Sequence, residues 1–190
     1  MERTIETHTV VVHIWRPDKD HIGHSALELS DGTYISWWPE TECDANHPRV
    51  KAAPNTSLSQ DIEEEGKRHP ISYTIQVSCE ELNAIKRWWA GFKCKADYQF
   101  VSNNCSTVAF YAQEAAFPFL TALNGAVPVW VPQAVEMVAQ DLAAGKRSMD
   151  KKRINEIKQA AKDEVKRIAG AHGYGAKKVN RLKIGIQGRR

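Results

Sequence analysis

The amino-acid sequence predicts an α+β fold, in which an antiparallel sheet packs against helices and a basic helical extension follows at the C-terminus. Runs rich in β-branched and aromatic residues are concentrated before residue 78, and apolar residues at helical spacing prevail after it. An Asp31-Gly32 pair separates two of the β-type runs, which is a strong signal of an antiparallel hairpin. We therefore expect one sheet from the first part of the chain, covered by helices from the second.

The strands are predicted from alternating and β-branched runs. Residues 7–15 form the first, and residues 24–30 and 33–38 form the hairpin. A two-residue turn at Asp31-Gly32 pairs Leu27 with Ser36 and Ala26 with Trp37, which places Trp37 on the same face as His24. Residues 40–70 are predicted to form an irregular loop, and residues 71–77 a half-buried strand.

The helices are predicted from capping signals and apolar spacing. Ser78 and Glu81 form a capping box for a helix that continues to about Phe92. Further helices are expected from Cys105 to before Pro118, over residues 132–144 and over residues 148–169, with a connector or short strand at 97–101. Alternation over residues 182–186 indicates a last strand.

The charge distribution divides the chain into two parts. Of its 190 residues, 146–190 hold 15 Lys or Arg against 4 Asp or Glu, a net charge of +11, which leaves −8 on residues 1–145. We therefore predict a domain over 1–145 and a basic helical extension over 146–190. Such an extension indicates an anionic partner, such as a membrane surface, nucleic acid or an acidic protein, or else a solvated helix face.

Several classes of protein are disfavoured. The N-terminus has no segment of the signal-peptide type, so we expect synthesis in the cytoplasm, and no apolar run is long enough to span a bilayer. The four cysteines form no regular framework, so disulfides are not predicted. A zinc site from His21-x-x-His24 and Cys43-x-x-x-His47 matches no familiar spacing, and neither a metal nor a cofactor is expected.

Cys105 is the candidate nucleophile. It follows Ser102, Asn103 and Asn104, all of which are N-cap-type residues, at the point where an apolar helical pattern begins. Unpaired backbone N–H groups and the positive end of the helix dipole favour a thiolate at such a position. The alternative is that Cys105 is an inert, buried residue, as most cysteines at helix starts are.

His24 is the candidate general base for this nucleophile. It follows Gly23 at the mouth of a predicted strand, where its side chain can be held rigidly and still meet solvent. The other six histidines lie in a core strand, in turns or in loops, although His21 is an alternative base.

These motifs resemble those of a known family. Residues 24–39, with their histidine-bearing hairpin, and Asn104-Cys105 at a helix start are similar to the circularly permuted papain-like (NlpC-type) cysteine enzymes, notably the lecithin:retinol acyltransferase type. The resemblance covers residues 8–40 and 98–116. It implies that residues 1–145 are a permuted papain-like catalytic domain, in which His24 is the base and Cys105 forms an acyl-thioester.

The third catalytic position of the family falls on Ser36, where the animal acyltransferases have a second histidine. Ser36 is therefore the candidate orienting residue, with Glu28 or a backbone carbonyl as alternatives. We expect Trp37, Trp130 and Asn104 to contact the substrate.

The apolar segment 117–131 and the basic extension favour lipid acyl esters as substrates, and the extension would then contact an anionic membrane surface rather than nucleic acid. A peptidoglycan amidase or endopeptidase of the same fold is one alternative. A non-catalytic adaptor that binds an anionic partner through residues 146–190 is another. A small enzyme of this type without a signal peptide also resembles bacterial secreted effector toxins, which implies phospholipase-like activity, export, and an immunity or chaperone protein as a partner.

Overall fold

The computed structural model describes residues 8–41, 43, 47–94 and 96–171. Its architecture is α+β, as predicted, and the predicted strand at 182–186 lies outside the described residues. In chain order the elements are β1 (His8–Trp15), β2 (His24–Leu29), β3 (Tyr34–Ile35), β4 (Arg49–Val50), α1 (Leu58–Glu64), β5 (Ile71–Val77), α2 (Cys79–Phe92), β6 (Tyr98–Gln99), α3 (Cys105–Ala116), a 3₁₀ helix (Pro118–Leu123), α4 (Pro132–Ala143) and α5 (Lys151–Ala171).

The main sheet has the strand order β3-β2-β1-β5, and every pairing in it is antiparallel. Strands β4 and β6 form a separate two-stranded sheet. One face of the main sheet is covered by α2, α3 and α4, and Val12 and Ile14 of β1 are buried in this core. The other face carries a smaller cluster around Trp15, against which Leu58 of α1 packs. His24 is the first residue of β2 and therefore lies where helices from both faces of the sheet can contact it.

The hairpin has a different register from the predicted one. Leu27 pairs with Ile35, and the Gly32 N–H donates to the Leu29 carbonyl, so the turn contains three residues instead of two. Gly32 has a φ of 87°, the left-handed conformation that closes such a turn. The shift of one residue reverses the faces of the returning strand. Ser36, and not Trp37, therefore lies on the face of His24.

The prediction of an irregular loop over residues 40–70 was wrong, because this segment contains β4 and α1. Ser57 is the N-cap of α1 and accepts a hydrogen bond from the Gln60 N–H, while the Gln60 side chain accepts one from the Thr56 N–H. Ser57 and Gln60 thus have the spacing of a capping box. The helix is short and carries Asp61 on its buried side.

The basic helix α5 packs on the rest of the protein. Ile157 and Ala161 are fully buried in the same hydrophobic core as the sheet. Arg153 binds the buried carboxylate of Asp141 on α4, with 2.6 Å between Nε and Oδ2. Within the described ranges, no helix combines the length and apolar character needed to cross a membrane.

A pair of glycine variants tests how tightly the chain is packed before β2. Gly23 and Gly32 both have positive φ values, of 84° and 87°, but a Cβ at Gly23 would overlap the Trp15 carbonyl oxygen, whereas one at Gly32 meets nothing within 4 Å. We expect Gly32→Ala to lower the free energy of unfolding by about 1–2 kcal/mol through backbone strain, and Gly23→Ala to lower it by roughly 1–3 kcal/mol more through overpacking. Urea denaturation measures both values, and equal losses would contradict this account.

Candidate active site

Cys105 is the first residue of α3 and is buried. The helix begins here because the Asn104 side chain caps it, with 2.9 Å between Oδ1 and the Thr107 backbone nitrogen. The hydroxyls of Ser106 and Ser25 lie 3.1 Å apart and connect the start of α3 to β2. The thiol is therefore held at the N-terminal end of a helix that is fixed to the main sheet.

His24 is the first residue of β2, and its imidazole is 1% exposed. The ring stacks on Trp38 at a centroid distance of 4.3 Å and contacts Trp15 at 5.4 Å. These two indoles restrict the rotation of the imidazole. The imidazole and Cys105 line the same small cleft, and the interaction with Cys105 contributes to the raised pKa of His24. The structure thus brings together the two residues that the sequence predicted as nucleophile and base.

The nearest carboxylate to His24 belongs to Asp61 on α1, which is completely buried. Asp61 Oδ2 lies 3.2 Å from His24 Nε2. An ionised carboxylate only accepts hydrogen bonds, and every contact of this one is with a donor group. Four further donors surround it at 2.7 to 2.8 Å, namely Tyr34 Oη, Ser36 Oγ, Trp38 Nε1 and Asn55 Nδ2.

Ser36 connects the imidazole to this carboxylate. Its Oγ is 2.8 Å from Asp61 Oδ1 and 2.9 Å from His24 Nε2. Since the carboxylate can only accept, the Ser36 hydroxyl donates to Asp61 and accepts from the Nε2–H of His24. Nε2 therefore carries a proton, and Nδ1 is the nitrogen available to the Cys105 thiol. Asp61 and Ser36 together set the tautomer in which His24 can act as a base.

The charges of His24 and Asp61 stabilise each other. Burial alone would lower the pKa of His24, but the Asp61 carboxylate, followed by the Cys105 sulfur, raises it from 6.5 to about 10. Burial alone would raise the pKa of Asp61, but the charge of His24 and the surrounding hydrogen bonds lower it from 3.8 to about 2. At neutral pH the arrangement favours an imidazolium beside an aspartate.

Tyr98 is a buried residue of β6 and lies next to Cys105. Burial raises the pKa of Tyr98 well above its usual range, the electrostatic interaction with Cys105 and Cys43 adds to this effect, and a hydrogen bond from the backbone of Cys105 opposes it. The phenol therefore stays protonated. Because the Cys105 N–H is directed at the Tyr98 oxygen, the Tyr98 O–H is the donor of this pair that can stabilise a developing oxyanion.

A cavity of about 170 Å³ opens beside Cys105. Its walls are mainly apolar, and they come from the start of α3, from residues 129–132 and from α5. Cys105 therefore lies between this cavity and the small cleft that contains His24, because it lines both.

The three residues that were predicted to contact the substrate line two different spaces. Trp130 lines the apolar cavity and stacks on Phe110 at a centroid distance of 3.6 Å. Asn104 also lines this cavity, but its side chain caps α3 and donates to the Trp130 carbonyl. Trp37 lines the small cleft but packs against Trp89. Its buried indole N–H has no hydrogen-bond partner among the described residues.

The sequence did not reveal Asp61 as a site residue, because it lies in the segment 40–70 that is predicted to be a loop. The capping-box spacing of Ser57 and Gln60 would have indicated a helix there, and it would have placed Asp61 in its first turn. Glu28, the alternative carboxylate for His24, instead lies beside His13, with 3.4 Å between Oε2 and Nε2. Glu28 therefore contacts the imidazole of His13 and not that of His24.

In the described part of the chain, no three or more His, Cys, Asp or Glu side chains are grouped so that they could hold a metal ion. Comparisons of this chain with models of protein families, with curated proteins and with solved structures find no match.

The protonation of His24 provides a test of the site that does not depend on activity. Because the folded state raises the pKa of His24 from 6.5 to about 10, the ion pair stabilises the protein fully below pH 6.5, and this contribution is lost as the pH rises through about 10. NMR titration of the ring should show an imidazolium at pH 8. In Asp61→Asn the pKa of His24 should fall, because burial remains and the anion is gone. Glu28→Gln is the matched control and should leave the His24 titration unchanged, and a wild-type pKa at or below 6.5 would contradict the assignment.

Proposed function

We propose that this chain is a cysteine hydrolase or acyltransferase that acts through an acyl-thioester on Cys105, most favourably on lipid acyl esters. The observation that carries the proposal is the position of His24, which lines one small cleft with Cys105 and is hydrogen-bonded to the Asp61 carboxylate. A nucleophile, a base and an orienting acid in this order constitute a catalytic triad for acyl transfer. We propose the permuted papain-like fold on the same ground, together with the order of histidine before cysteine in the chain.

The first half of the reaction acylates the enzyme. In the resting enzyme His24 already holds the thiol proton as an imidazolium. The Cys105 thiolate attacks the ester carbonyl carbon, forming a C–S bond while the π electrons move to the oxygen. The Tyr98 hydroxyl stabilises this oxyanion. When the carbonyl re-forms, the C–O bond to the alcohol breaks, and the His24 imidazolium donates its proton to the departing oxygen.

The second half regenerates the enzyme. His24 removes a proton from water, or from an acceptor alcohol, as the oxygen attacks the thioester carbonyl. The C–S bond then breaks, the acid or the new ester leaves, and the Cys105 thiolate is restored beside the protonated His24. Throughout, Asp61 stabilises the imidazolium and keeps Nδ1 directed to the reacting groups, so it acts as a positioning residue.

Two features support a lipid substrate. The cavity beside Cys105 is mainly apolar, so it suits a hydrocarbon group better than a peptide or a sugar. In addition, α5 carries exposed lysines, including Lys151, Lys152 and Lys162, which would favour contact with an anionic lipid surface.

Product analysis tests the proposed activity. Wild type, Cys105→Ala and the matched control Cys79→Ala, which changes an exposed cysteine, are incubated with mixed phospholipids and with peptidoglycan, and the products are identified by mass spectrometry. We expect wild type and Cys79→Ala to release fatty acid or to transfer it, and Cys105→Ala to lose the activity. Release of peptidoglycan fragments in place of fatty acid would support the amidase alternative. If no Cys105-dependent product appears from either substrate, the proposal is wrong.

The contributions of His24 and Ser36 should differ. Loss of the base in His24→Gln should lower kcat/KM by about 10²–10⁴-fold, the typical contribution of a positioned general base. Ser36→Ala should lower it much less, because Asp61 still contacts Nε2. Steady-state kinetics on a soluble ester measure both effects, and thermal melting shows whether each variant is folded. A larger loss in Ser36→Ala than in His24→Gln would contradict these roles.

A further inference from the structure

The cavity beside Cys105 is completed by the C-terminal helix α5. One wall comes from residues 129–132, which precede α4 and include Trp130. The opposite wall comes from the apolar stripe of α5, through Val165, Ile168 and Ala169. The helix that the charge pattern assigned to a surface extension therefore lines the space next to the nucleophile.

Three contacts fix α5 in this position. Ile157 anchors the middle of the helix in the core. Arg153 binds Asp141 on α4. Nearer the cavity, the buried Glu164 accepts a hydrogen bond from the Gln133 backbone N–H, 2.8 Å away. This carboxylate lies at the N-terminus of α4, where the helix dipole favours a negative charge. The wall is thus held by charge-assisted bonds as well as by apolar packing.

The size of the cavity restricts what it can hold. An apolar cavity of about 150 Å³ in a protein interior accommodates benzene, which has six carbon atoms. The cavity beside Cys105 has a similar volume, about 170 Å³. It therefore suits an apolar group of about six carbons, and a long acyl chain would extend beyond it.

We propose that α5 forms the acyl-specificity wall of the active site, and that the cavity binds the first six or so carbons of the acyl group on Cys105. This inference rests on the proposed function and adds to it a chain-length preference and the residues that set it. The exposed apolar side chains at the cavity support a chain that leaves through the mouth, because Val101 is 52% and Val165 is 36% exposed.

Disulfide formation at Cys105 with alkyl reagents measures the pocket without requiring turnover. In an alkyl methanethiosulfonate the thiolate attacks the alkyl-bearing sulfur, a disulfide forms, and methanesulfinate leaves with the electron pair of the broken S–S bond. Methyl, hexyl and dodecyl reagents are compared by rate, each relative to a small free thiol. The protein carries Cys79→Ser and Cys94→Ser, which remove the two exposed cysteines, and Cys105→Ser in this background gives the blank.

We expect the hexyl reagent to react at least tenfold faster than the methyl reagent, because each buried methylene favours binding by roughly fourfold. The dodecyl reagent should show little further gain. Ala169→Trp, which fills the cavity from α5, should bring the hexyl rate close to the methyl rate. Asn155→Trp, on an exposed position of the same helix, is the matched control and should keep the preference. Ile168→Ala, which enlarges the cavity, should raise the dodecyl-to-hexyl ratio.

The outcomes separate this inference from the proposed function. If all the reagents react at equal relative rates, or if Ala169→Trp and Asn155→Trp behave alike while both remain folded, α5 does not form the wall and the inference is overturned. Cys105-dependent hydrolysis of esters would in that case still support the proposed function. Conversely, a hexyl preference that Ala169→Trp removes supports the pocket. If this protein shows neither Cys105-dependent hydrolysis nor Cys105-dependent acyl transfer, the proposed function alone is overturned.

Discussion

The site depends on one buried negative charge, that of Asp61. Removing a carboxylate from water costs several kcal/mol, and here five donor groups and the charge of His24 offset that cost. The donors belong to β2, to β3 and the residues after it, and to the loop that contains Asn55. Asp61 itself belongs to α1. The same carboxylate therefore holds these segments together and sets the tautomer of the base. Its electrostatic and structural roles cannot be separated.

The position of His24 at the end of β2 allows it to contact groups from both sides of the sheet. Ser25, the next residue, faces α3 and bonds to Ser106. His24 faces the cluster under α1, but as the first residue of its strand it also lines the small cleft that contains Cys105. A residue in the middle of the strand would contact only one layer of helices. The pairing of a thiol on α3 with a carboxylate on α1 thus follows from where the strand begins.

Local signals in the sequence predicted most of the helices and strands. The position of Asp61 and the contact of α5 with the cavity were not predicted, because they depend on residues that are distant in the chain. The capping box of Ser78 and Glu81, the helix start at Cys105 and the strand at 71–77 were confirmed because each is specified by a few neighbouring residues. The turn at Gly32 contains one residue more than predicted, because an Asp-Gly pair fits both two- and three-residue turns. The buried Asp61 depends on hydrogen-bond donors that are distant in the chain, and the most distant of them, His24, is 37 residues away. No local sequence pattern predicts such a contact. The contact of α5 with the cavity was not predicted for the same reason.

The placement of α5 has a consequence for the order in which the site is assembled during synthesis. His24, Asp61 and Cys105 leave the ribosome before the wall residues Val165, Ile168 and Ala169. A nascent chain that has already folded its sheet around Asp61 therefore has Cys105 beside an incomplete cavity. Only when the last turns of α5 dock on α4 does this cavity gain its second wall. Under the proposed function, the groups for acyl transfer would thus be in place before the surface that selects the acyl group.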